Sequence, residues 1–147
     1  MKWFKIDGKE YDVRIFEPKE SFSILYTENT GRTLDIGAPI FLDPVGTFFN
    51  YSLTVGAKKG KEGDFENLWR YVSVPRSEPM LFVFPKSSYG YWETTENGGK
   101  KIGFYAYVSN GERGIKKILE KENGELKSVE YDSFSLNFIA VRAQEVP

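Results

Sequence analysis

Residues 32–55 read RTLDIGAPIFLDPVGTFFNYSLTV, and the second half of this stretch decides the fold. From Thr47 to Val55 the side chains alternate: Phe49, Tyr51, Leu53 and Val55 fall on one face, with Asn50, Ser52 and Thr54 on the other. That is the pattern of a half-buried β-strand. The first half is harder to place. GAPIFLDPVG carries two prolines and two glycines, so it reads as a stiff irregular loop kept out of sheet pairing. Yet Ile40, Phe41, Leu42 and Val45 are too apolar to leave in water. They form the candidate interface of the chain, to be covered either by a neighbouring molecule or by folding back over the protein's own barrel mouth.

Working outward, short alternating segments recur between turn signals. Residues 3–6, the Asp7-Gly8 turn and then Tyr11, Val13 and Ile15 read as an N-terminal hairpin. Phe22, Ile24 and Tyr26 share one side of a strand at 21–27 that ENTG ends. After the charged loop KKGKEG, GDFENLWRYVSV places Phe65, Leu68, Trp69 and Val72 at i, i+3, i+4 and i+7, the apolar stripe of a helix. This predicts a helix over 64–74 with Asp64 as N-cap and Pro75 as its stop. PMLFVFP is apolar on both faces, a strand covered on both sides, with Leu68 and Trp69 expected against Phe82 or Phe84.

Two strands, 89–95 and 101–109, flank the turn ENGG, the second burying Ile102, Phe104, Ala106 and Val108. IKKILEKENGELKSVEY could be helical by composition, but Asn123-Gly124 favours a hairpin. Its return strand reaches Val141 with Phe134, Leu136, Phe138 and Ala140 inward. The reading is mainly β: a single domain over residues 1–147, an antiparallel sandwich or barrel of some eight strands with one packed α-helix.

Composition narrows the chemistry. The 147 residues contain no His and no Cys, which removes disulfides, thiol nucleophiles, Ser-His-Asp and Cys-His arrangements and any ordinary zinc site. Twenty basic and twenty-one acidic residues leave a net charge of −1, a poor match to nucleic acid. Asp35 and Asp43 are the nearest thing to an acid–base pair, but they read as strand-end and turn residues. Tyr89, Tyr91 and Trp92 could stack on a sugar, although alternation splits them between two faces. No calcium loop or phosphate-binding glycine motif is present. The sequence assigns no catalytic, cofactor or metal-binding residues, no cofactor, and no activity. The start lacks the apolar run of a signal peptide, and nothing is long enough to span a membrane.

Several short pieces, in order, carry a resemblance: Asp12-Val13, Ser21-Phe22, Asn29-Thr30-Gly31-Arg32, GTFFNYS from Gly46, YAYV from Tyr105 and LNFIA from Leu136. Over nearly the whole chain this resembles a family of small structural proteins encoded in prophages of Gram-positive bacteria. The departures are the longer insert GAPIFL before Asp43 and an enlarged hairpin at 90–99. The resemblance implies a non-enzymatic tail component, tail-tube or distal-tail-like by analogy of fold. Its partners would be itself, as a homo-oligomer or ring, and other tail proteins. It would be cytoplasmic when synthesised and in the virion tail once assembled. The other reading is a carbohydrate- or cell-wall-binding β module using exposed Tyr and Trp.

Overall fold

A computed structural model describes residues 4–27, 31–32, 40–88 and 90–147, with the backbone alone at 31–32 and 40–41. The chain forms β1 (Lys5–Ile6), β2 (Arg14–Tyr26), β3 (Gly31–Arg32), β4 (Ile40–Phe41) and β5 (Pro44–Gly56) before the helix α1 (Glu62–Ser73). After it come β6 (Met80–Val83), β7 (Pro85–Ser87), β8 (Gly90–Tyr91), β9 (Glu93–Glu96) and β10 (Gly99–Ile102). The last three are β11 (Phe104–Tyr107), β12 (Arg113–Glu120) and β13 (Leu126–Ala140).

Seven of these strands make one antiparallel sheet, in the order β1-β6-β11-β13-β5-β2, with β12 paired to β13. The sheet curls into a half-barrel, and α1 is the one helix of the described residues. Three two-stranded ribbons, β3–β4, β7–β8 and β9–β10, attach to it.

The predicted inward sets build the core. Tyr51, Leu53 and Val55 of β5 and Phe134, Leu136, Phe138 and Ala140 of β13 are all buried. Phe82 of β6 sits at the centre, stacked on Phe138 at 3.9 Å and in contact with Tyr51, Phe84 and Phe104. Burying rings of this size supplies most of the apolar driving force, about 2–3 kcal/mol for each fully covered side chain.

Five expectations need correction. The N-terminal hairpin is shorter than expected: Asp7-Gly8 (φ 50° and 80°) makes its turn, but the pairing ends at the Ile6–Lys9 bridge, and β1 otherwise pairs with β6. The two strands expected at 11–15 and 21–27 are largely one strand, β2, interrupted by a bulge where Glu17 takes φ 50° ahead of Pro18. The helix begins two residues early, at Glu62, and Asp64 is not its cap; its carboxylate instead accepts the Asp12 N–H at 2.9 Å. Trp69 is only half-buried and meets Phe134 edge-on at 4.9 Å, so the helix's aromatic contacts run to β13 and not to Phe82 or Phe84. Finally, Ile102 faces outward because Gly103, at φ 115°, breaks the expected strand in two.

From residue 40 to residue 46 the chain is also more regular than the sequence suggests. Ile40 and Phe41 pair with Arg32 and Gly31, and Pro44 opens β5 opposite Tyr26. A proline is tolerated as the first residue of a strand, where a missing N–H costs the ladder least.

Candidate functional site

Thirteen residues long, β2 is the last strand of the sheet on its side, and among the described residues it is paired along one edge only, to β5. Every side chain from residue 17 to 26 is exposed. In Ser21-Phe22-Ser23-Ile24-Leu25-Tyr26 this leaves four large apolar side chains in water, Phe22 the most exposed at 66%. Alternation puts Phe22, Ile24 and Tyr26 on one face of the strand. Phe22 touches the half-buried Phe49 of β5, at 6.4 Å between ring centres.

The interface residues read from sequence adjoin this edge. Leu42 is 58% exposed and Val45 42% exposed. Val45 is the extra residue of a bulge, lying between the pairs Tyr26–Pro44 and Leu25–Gly46, which takes it out of the ladder. For Ile40 and Phe41 the backbone lies in β4, and their side chains fall outside the described residues. Thr27 closes the end of the ribbon: its N–H reaches the Asp43 carbonyl at 2.9 Å and its hydroxyl the Asp43 carboxylate at 2.6 Å. We call this apolar end of the β2–β5 ribbon, with Leu42 and Val45, the arm.

Two devices hold the arm's root in place. Along the other edge of β5, the C-terminal tail stands in for a strand. The Gln144 side-chain amide bonds both the N–H and the carbonyl of Phe49, at 2.7 and 3.0 Å. Thr47 exchanges bonds with the backbone of Gln144 and Glu145. Gly46 makes room for this tail, since a Cβ there would lie 2.6 Å from the Cβ of Ala143. Across the sheet, the buried Trp92 indole donates to the Tyr51 hydroxyl at 2.6 Å, which donates to the Glu20 carboxylate at 2.6 Å. Burial, and then the bond to Glu20, push the Tyr51 hydroxyl above the ordinary tyrosine range.

A second exposed element is the β12–β13 hairpin. Ile115 opposes Tyr131 and Ile118 opposes Val129, so alternation along β13 places both pairs on one face, with Ile115 and Ile118 exposed. Sequence reasoning also missed a cleft of about 690 Å³ beyond the end of α1, bordered by Trp69, Arg76, Met80, Tyr107, Leu136 and Val141. No periodic signal could have found it, because loops from separate parts of the chain form its walls.

The remaining candidates do not converge. Asp35 and Tyr89 lie outside the described residues, and Asp43 is engaged by Thr27. Trp92 is buried against Phe49, which removes it from any exposed sugar platform. Among the described residues, no three His, Cys, Asp or Glu side chains come together as a metal site, and no helix is long and apolar enough to cross a membrane. Compared with known proteins, the chain matches no family model, no curated protein and no solved structure.

Proposed function

We propose that this chain is a non-enzymatic structural protein of a phage or prophage tail, and that it works by associating with copies of itself and with other tail proteins. The observation that carries the reading is the arm: Phe22, Ile24, Leu25, Tyr26, Leu42 and Val45 are exposed at one end of a sheet whose core is built from Tyr51, Leu53, Val55, Phe134, Leu136 and Phe138. Soluble monomers seldom leave such a cluster open unless it serves a contact. The ordered resemblance to prophage structural proteins, from Asp12-Val13 to the LNFIA run, gives that contact its setting in a tail.

The test is light scattering on the purified protein and on a Leu42→Ser/Val45→Ser variant. The wild type should exceed the 16.9 kDa of a single chain, and the variant should fall toward it. Because both residues are already exposed, circular dichroism and melting cooperativity should not change. A wild type that is monomeric at every concentration, with a variant that melts much earlier, would mean that these residues cap the protein's own barrel.

A further inference from the structure

The arm offers more than apolar side chains. Natural sheets protect their terminal strands with charges, prolines, bulges or covering loops, because an open edge pairs with any extended chain it meets. On β2 a bulge, a proline and charges are present, and all stop early. Glu17 is bulged, and Pro18, Lys19 and Glu20 follow. From Ser21 to Tyr26 there is then no charge, no proline and no glycine, and the side chains of both faces are exposed. An unprotected run of six residues, next to a protected one on the same strand, marks a place where a strand is meant to add.

We propose that the free edge of β2 at Ser21–Tyr26 is a strand-addition site whose occupant is the same segment of a second copy, antiparallel and centred on Ser23. This rests on the self-association reading above and specifies its partner. The segment is self-complementary in that register. Phe22 meets Ile24 of the partner and Ile24 meets its Phe22, an aromatic–β-branched pair of the kind that stabilises antiparallel neighbours. Ser23 meets Ser23, Ser21 meets Leu25, Glu20 meets Tyr26 and Lys19 meets Thr27, so no like charges are opposed. Shifting the centre by one residue to Phe22 would set Glu20 against Ile24 and Lys19 against Leu25, a charge opposite each apolar side chain. The two half-barrels would then share one sheet, with the Phe22–Phe49 contact of each copy backing the joint. The interface is isologous, closing as a two-fold pair.

Charge reversal at the two-fold centre tests this. Ser23 is exposed, so Ser23→Lys and Ser23→Asp should each fold, with the wild-type melting temperature at dilutions where all three are single chains. In sedimentation velocity the wild type should approach twice the single-chain mass as concentration rises. Each variant alone opposes like charges and should raise the dissociation constant about tenfold or more. An equimolar mixture of the two should restore the dimer, because only the mixed pair sets Lys against Asp. If the variants associate as the wild type does while Leu42→Ser/Val45→Ser does not, the arm stands as the contact and strand addition at Ser23 is overturned. A wild type that never leaves the single-chain mass overturns both.

Discussion

Removing one oxygen atom, in Tyr51→Phe, isolates the hydrogen-bond relay that ties β2 to the core. The phenyl ring keeps the contacts Tyr51 makes with Phe82, Phe84 and Phe104, at 6.3, 4.7 and 5.7 Å between ring centres. Glu20, which is exposed, recovers water in place of the lost hydroxyl. Trp92 does not: its indole N–H is buried, and Tyr51 is the acceptor the structure gives it, at 2.6 Å. Leaving a buried donor unsatisfied costs about 1–3 kcal/mol, so the variant should lose about 2 kcal/mol in urea unfolding. Trp92→Phe should itself be destabilising through lost packing on Phe49 and Phe104. Combined with Tyr51→Phe, it removes the orphan donor, so the double variant should be about 1–2 kcal/mol more stable than the sum of the single losses implies. Strict additivity, within about 0.3 kcal/mol, would refute the claim that the two groups are coupled through a buried bond.

Phe134→Ala should cost about 3–5 kcal/mol, since the ring is buried under both Phe65 and Trp69. Trp69→Ala, at a half-buried site, should cost clearly less by the same denaturation assay, and the reverse order would contradict the packing of α1 on β13. Gly103→Ala should lose about 2–4 kcal/mol, because φ is 115° and a Cβ would meet the Phe82 carbonyl oxygen at 3.0 Å. Burial, with the neighbouring Tyr71 and Asp7, raises Tyr11 from 10.0 to about 12, and Tyr51 is raised as well. Both groups bind their proton more tightly when folded, so the stability they contribute is complete below pH 10, where the unfolded chain still holds its protons. It should fall from there toward pH 12 and beyond, at about 1.4 kcal/mol per pH unit for each tyrosine. Urea midpoints that stay level across that window would contradict the burial of these hydroxyls.

The core was legible in the sequence wherever one face of a strand is buried. Strict alternation over 47–55 and 134–140 can be satisfied by one face only, and those side chains are buried except Phe49, which is half-buried. What stayed hidden depended on backbone geometry or on distant partners. Pro44 looked like a break, but the start of a strand accommodates it, and a bulge takes up Pro18 within β2. Gly103 gave no sign that it would reverse the facing of Ile102, because a glycine's φ is not written in the residues beside it. The cap expected of Asp64 was lost to a longer-range competitor, the Asp12 N–H, 52 positions away. Leu42 and Val45, which stood out in the sequence as an apolar excess, are exposed. The exposed apolar run on β2 read as ordinary alternation, because only the sheet order reveals that β2 has no further neighbour among the described residues.

Hydrogen exchange along β2, measured at low and high protein concentration, tests the central claim most directly. Amides bonded to β5 are protected in either condition, as are those of β13 in the core. The account predicts that further amides between Ser21 and Tyr26 gain protection as concentration rises, while the β12–β13 hairpin and the core strands are unchanged. Exchange in that segment that stays independent of concentration, in a protein that nonetheless associates, would place the contact elsewhere and contradict the account.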